Sequence, residues 1–206
     1  ASVSSDEESA PDPAPARDAP NTFCTSFSNR NRLTMKANDF AYLQEQAAHD
    51  LQIDEINEEA FGPGRYTRAA YRIREGGPHE RALSFVAMQG ETVIGSVRMT
   101  RVAAGKGRAL LLGPLAVRPE WKNIGVGRRL VALSLEAAAR AGIGAVILVG
   151  DEPYYGPLGF QRVPRGQLSM PGPVDLNRVL AHEITPGAVA NLSGMLDHEN
   201  RARAVV

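Results

Sequence analysis

Six consecutive residues, Lys122-Asn123-Ile124-Gly125-Val126-Gly127, could hold a phosphate. They precede apolar residues at helical spacing, so they open a helix whose first N–H groups have no intrahelical acceptor. Aligned peptide dipoles add partial positive charge at that end, and such a terminus takes anions. Glycines at 125 and 127 allow close approach of the backbone, and Lys122, Arg128 and Arg129 place basic side chains nearby. Arg128 and Arg129 read equally as an ordinary solvated helix face. Two phosphate loops are excluded by missing residues. GxxxxGK followed by Ser or Thr does not occur. The dinucleotide pattern GxGxxG fails at Leu130, where its third glycine belongs.

Further along, DEPYYGPLGF (residues 151–160) carries two adjacent phenols, Tyr154 and Tyr155, which can donate protons. Candidate bases are His79, Glu80 and Asp151, each of which reads more readily as structural or solvated, and Glu120 lies beyond the strand that precedes the glycine turn. The apolar run over residues 109–117 contains no carboxylate. His49, His182 and His198 are scattered, with no i, i+4 pair of the kind a helical zinc site uses, so no metal is expected. The single cysteine, Cys24, excludes an intrachain disulfide and thiolate metal clusters.

These groups need a scaffold to hold them. Residues 1–30 are rich in Ser, Asp, Ala and Pro and bury too little to fold, so a disordered tail is expected there, with one domain over 31–206. Hydrophobic residues make up 43% of the 206, enough for a core. Lys plus Arg and Asp plus Glu are 23 each, which argues against a nucleic-acid binder. No apolar stretch is long enough for a membrane helix, and the first 20 residues lack an apolar signal core. A cytoplasmic protein without membrane partners is the expectation.

A weak strand is expected over 40–46, then a helix capped by Asp50 and ending before Gly62-Pro63-Gly64. A second helix covers 66–75. Strands at 83–88 and 92–102 flank the turn Gln89-Gly90-Glu91, and another strand covers 109–117. The helix after the glycine turn presents Leu130, Leu133, Ala137 and Ala141 on one side and stops at Gly142. A second apolar strand, 145–149, follows. A helix joining two buried strands implies a parallel pair with a right-handed crossover, whereas the hairpins imply antiparallel pairing. Pro157, four residues after Pro153, limits the tyrosine segment to a single helical turn. Residues 174–184 and a polar C-terminus complete the chain.

Taken in order, these motifs resemble the GNAT superfamily of acyl-CoA-dependent N-acetyltransferases. The family's pyrophosphate signature is Gln or Arg, two residues, Gly, one residue, then Gly or Ala; Lys122, Gly125 and Gly127 match its spacing. Lys122 departs from the usual Gln or Arg, and Asn123 stands where glycine is common. Tyr155, five residues before Phe160, matches the family's later tyrosine. EEAFGPGRYTRAAYRIREG, LSFVAMQGETVIGSVRM and LVGDEPYYGPLGF together look most like the predicted acetyltransferase branch called YhbS-like. The resemblance implies an α/β (α+β) fold with a mixed, mostly antiparallel twisted sheet flanked by helices. A parallel strand pair would splay at the acyl-CoA site. It implies acetyl-CoA as co-substrate, with pantetheine along the backbone of Leu115, Ala116 and Val117. Pyrophosphate would lie on Lys122, Asn123, Ile124, Gly125, Val126, Gly127 and Arg128. The reaction would be acetyl transfer to a primary amine of a small molecule or protein, with Tyr155 as general acid, Tyr154 as its rival, and no assigned base. A non-catalytic acyl-CoA sensor is the competing reading, kept open by the missing strand carboxylate. A homodimer is the default assembly.

Overall fold

The structure is a computed structural model that describes residues 40–203; the tail expected over residues 1–30, with Cys24, lies outside them. In chain order its elements are β1 (Ala41–Gln44), α1 (Asp50–Phe61), α2 (Ala69–Arg74), β2 (Phe85–Gln89), β3 (Thr92–Gly105) and β4 (Gly107–Val117). Then come α3 (Val126–Arg140), β5 (Ala145–Val149), α4 (Glu152–Tyr155), β6 (Gln161–Arg162), β7 (Leu168–Ser169), β8 (Val179–Glu183), β9 (Leu192–His198) and α5 (Glu199–Arg203).

The sheet order is β1-β2-β3-β4-β5-β8-β6, and every pairing along it is antiparallel except β4 with β5. This is the mixed, mostly antiparallel sheet expected from the hairpins and the crossover. Gly90 and Gly105 close the two hairpins with φ of 58° and 57°, a left-handed backbone that glycine adopts without a steric penalty.

The parallel pair is short. β4 and β5 are registered only at Leu110↔Val146 and Leu111↔Ile147. Beyond that level the register of β4 with β3 shifts between Val97 and Met99, opposite Gly113 and Pro114. Pro114 brings no N–H to the ladder, and a bulge bends the strand that carries it. The C-terminal halves of β4 and β5 therefore part, and the loop to α3 and the short α4 stand at the mouth of the gap.

Helices cover both faces. α3 buries Val126, Leu130, Val131, Ala137 and Ala138 against Ile94, Val97, Leu110, Leu112, Val146 and Leu148. This stripe differs from the expected one. Leu133 is half-buried and Ala141 is exposed beyond the helix end, because the helix starts at Val126 and its inward face runs through Leu130, Ser134 and Ala137. On the opposite face Ile53 and Ile56 of α1 pack on Val86, Val93 and Ala116, while Ala69 and Ile73 of α2 pack on Leu111 and Ile147.

Two further expectations are corrected. Asp50 lies inside the first turn of α1 with His49 as N-cap, and its carboxylate accepts from Arg81 and Arg98 instead of capping. The C-terminus is not merely polar: β9 pairs with β3 and β7 and buries Leu192 and Leu196. Its sequence, LSGMLDH, is interrupted by Gly194 at φ 86° and hides the strand pattern. The single turn between Pro153 and Pro157 forms as expected.

Candidate functional site

A cleft of about 1310 Å³ occupies the gap between β4 and β5 and continues onto the face that carries α1 and α2. One arm is made of consecutive residues from the glycine turn. Asn123 sits at φ 64° and Gly125 at φ 94°, both left-handed. Asparagine tolerates that conformation better than other non-glycine residues, which explains how it stands where glycine is common. The two residues turn the chain into α3 with no side-chain cap. The amides of Asn123, Ile124, Gly125, Val126, Gly127 and Arg128 have no hydrogen-bond partner among the described residues; the first helical bond to reach back is Arg129 N–H to the Gly125 carbonyl. A row of free donors thus faces the cleft with the helix dipole behind it.

The expected residues separate by side chain. Leu115, Val117, Lys122, Asn123, Gly125, Gly127 and Arg128 line the cleft. Ala116 turns into the α1 core, Val126 is buried under α3, and the Ile124 side chain is 53% exposed, so these three can contribute only backbone. Between Leu112 and Val117, β4 pairs with β3 on one side, and its other edge faces the gap. Arg128 and Arg129 also part: Arg128 lines the cleft with its guanidinium 5.9 Å from the Tyr154 ring centre, whereas Arg129 lies near Glu136 at 3.5 Å on the outer face.

The two tyrosines touch edge to face, with ring centres 4.8 Å apart, but meet different neighbours. The Tyr154 hydroxyl lies over Gly127, 2.6 Å from where a Cβ would stand, at the α3 end of the cleft. Tyr155 packs its ring against Gly150 at the end of β5 and against Phe160. Its hydroxyl has no hydrogen-bond partner among the described residues. Burial, then the neighbouring Tyr154 and Asp151, holds the Tyr155 proton on well above the ordinary phenol value, with Arg178 opposing.

In the other arm the sequence marks His79 as a candidate, but not its partner Glu45 or the neighbouring Arg74. Glu45, whose side chain is fully buried, accepts from His79 Nε2 at 2.8 Å, Arg81 Nη1 at 2.9 Å and Arg98 Nη2 at 3.0 Å. Burial raises the Glu45 pKa, but the bonds from His79 and Arg98 outweigh it and leave the carboxyl below its usual range. An ionised carboxylate only accepts, so His79 Nε2 carries the hydrogen, and in the neutral ring Nδ1 is the acceptor. Of the three candidate bases, His79 and Asp151 line the cleft, and Asp151 is paired with Arg178 at 3.1 Å. Glu80 is bound to Arg101 at 2.8 Å away from the cleft, and Glu120 is exposed outside it.

Arg74 reaches from α2 to the β4 edge, where a Cβ at Gly113 would lie 3.2 Å from its Nη2. Burial, with Arg68 and Arg98 nearby, pulls its pKa down to about 10. Its Nε is buried and unbonded, and no carboxylate pairs with its guanidinium among the described residues.

A splayed parallel pair with a free-amide helix start and an open strand edge defines a class of fold that holds a phosphorylated ligand with a pendant arm. The model of the Acetyltransferase (GNAT) family matches residues 50–160. The chain belongs to that family. Among known proteins it is similar to the N-acetyltransferase YjhQ of Escherichia coli K12, 32% identical over 114 residues; the match spans 53% of this chain and 62% of the relative's length. The fold is similar to that of the GNAT family N-acetyltransferase YhbS from Escherichia coli in complex with CoA, with a TM-score of 0.66 at 22% identity over 80% of this chain and 92% of that one. It is also similar to a GNAT family acetyltransferase from Brucella melitensis in complex with acetyl-CoA, with a TM-score of 0.50 at 28% identity over 60% and 83% of the two chains.

Proposed function

We propose that this protein is an N-acetyltransferase that moves the acetyl group of acetyl-CoA to a primary amine of a small molecule or protein. The observation that carries the reading is the row of free amides at the start of α3, which leads directly to an open β4 edge in one cleft. Family membership and the acetyl-CoA held by the Brucella relative support it. The amides from Asn123 to Arg128, with Lys122, take the pyrophosphate. The backbone of Leu115, Ala116 and Val117 takes the pantetheine amides as an added strand. The amine attacks the thioester carbon, the C–S bond breaks, and the thiolate receives the Tyr155 proton. His79, oriented by Glu45, accepts the amine's proton at Nδ1.

A screen of the full chain with acetyl-CoA and pools of amines, reading free thiol, tests the activity, and calorimetry with CoA tests the site. We expect CoA binding and amine-dependent thiol release. Binding with no turnover across the pools would favour an acyl-CoA sensor, and absence of binding would overturn the cofactor assignment itself.

A further inference from the structure

The cleft's second arm is rich in cations that no carboxylate answers. Arg65, Arg68 and Arg74 line it, and none has an ion-pair partner among the described residues. Arg65 bonds the Tyr66 hydroxyl and the Gly62 carbonyl, and Arg68 lies 5.1 Å from the Phe61 ring centre. Arg74 has neither kind of partner: its Nε is buried without a bond, and the guanidinium rests beside Gly113. Arg74 is half-buried, and the buried, unbonded Nε is the part that is costly, since structures normally pair such a donor; the partnerless terminal nitrogens stay open to the cleft. The network of Glu45, Asp50, Arg81 and Arg98 shows the contrast, because there every guanidinium has a carboxylate.

Position decides what Arg74 answers to. The phosphate loop follows Val117, and Gly113 lies four residues before it, about 13 Å back along the strand. Arg74 is therefore at the acyl end of the cleft and not at the phosphate end, which Lys122, Arg128 and the α3 amides already serve. A planar guanidinium with free N–H groups matches a carboxylate in two-point geometry.

We propose that the acceptor is an amine carrying a carboxylate close to its nitrogen, an α- or β-amino acid, with Arg74 as the residue that grips the carboxylate. The inference rests on the acetyltransfer reading above. The carboxylate enters beside Gly113, displaces water from Arg74 and holds the neighbouring amine at the thioester. Arg68 adds long-range attraction at the entrance. Arg74 is a specificity-determining residue and takes no part in proton transfer.

The test compares α- and β-amino acids with their carboxamides, which keep the amine and side chain but lose the anion, using wild type, Arg74→Gln and Arg74→Lys. In the wild type we expect kcat/KM for the free acids to exceed that for the carboxamides by about 100-fold. Arg74→Gln erases that ratio through KM on the acids alone and leaves the carboxamides and the CoA affinity unchanged. Arg74→Lys keeps part of the preference, since charge survives without the fork. Equal use of acids and carboxamides by wild type, or a preference intact in Arg74→Gln, overturns the proposal. So does a loss of CoA affinity in Arg74→Gln, which would place the side chain on the donor. A second arm titrates wild type and Arg74→Gln with N-acetylated amino acids and their carboxamides by calorimetry, with and without CoA. Carboxylate binding that depends on Arg74 supports the proposal even where no turnover is seen, and its absence overturns it. Failure of acetyl transfer appears separately, as no CoA heat or no thiol release.

Discussion

The hydroxyl of Tyr154 lies over Gly127 at the start of α3, so close that a Cβ at 127 would stand 2.6 Å from it. The neighbouring Tyr155 packs on Gly150 instead, so the two phenols, in edge-to-face contact, meet different walls of the cleft. Under the acetyltransfer reading proposed above, the pair divides phosphate contact from proton donation.

Gly127→Ala brings a methyl group into that contact and forces Tyr154 off the helix start. CoA binding should weaken about tenfold, roughly 1.4 kcal/mol. The double variant Gly127→Ala/Tyr154→Phe, which lacks the crowding oxygen, should recover most of the loss by calorimetry. A double variant no better than the single one would show that the contact is not what limits binding.

Tyr155→Phe should lower kcat by about 100-fold with CoA affinity unchanged, the range expected when one general acid is removed. Burial holds the phenol protonated above its ordinary value near 10, so the acid form is present throughout the neutral and mildly alkaline range. The ratio of wild-type to Tyr155→Phe kcat should accordingly stay constant between about pH 7 and pH 9.5, measured by thiol release. A ratio that collapses over that range would assign the proton to another group.

The two arms of the cleft were unequally legible. Lys122, Gly125, Gly127, Tyr155 and Phe160 lie in two short runs, so their spacing carries information, and the β4–β5 crossover could be inferred from the apolar runs around α3. Glu45 meets His79 and Arg98 across separations of 34 and 53 residues, and no spacing rule records such a meeting. In the sequence Arg74 is one more charge on a short helix, and only its packing beside β4 shows its Nε to be buried. The position of Ala116 was foreseen, but its side chain faces α1, because strand residues alternate and only backbone is left for the gap.

The Glu45 network should set acid stability. Its carboxyl titrates lower folded than unfolded, where the value is about 4.3. Its contribution is therefore fully present above the unfolded value and is lost as pH falls through the folded one. Glu45→Gln should cost about 3 kcal/mol at pH 7, since it leaves Arg81 to Asp50 and Arg98 to Asp50 and the exposed Asp54. In urea titrations the gap between wild type and variant should narrow below about pH 4. A gap independent of pH would mean that the loss is one of shape and not of charge.

Arg74 offers a measurement in which function and stability pull apart. The residue is half-buried, with its Nε buried and unbonded and no carboxylate beside it among the described residues, so the free protein carries a desolvation cost at that atom. Arg74→Met keeps the apolar stem and removes the charge. The variant should be more stable than wild type by roughly 1–3 kcal/mol in urea, an increase unusual for a polar residue lining a cleft. A carboxylate ligand that fills the site should reverse the order: an N-acetylated amino acid at saturating concentration should raise the melting temperature of wild type and leave that of Arg74→Met unchanged. If Arg74→Met destabilises the free protein, the guanidinium is already satisfied where it lies and is not held ready for an anion.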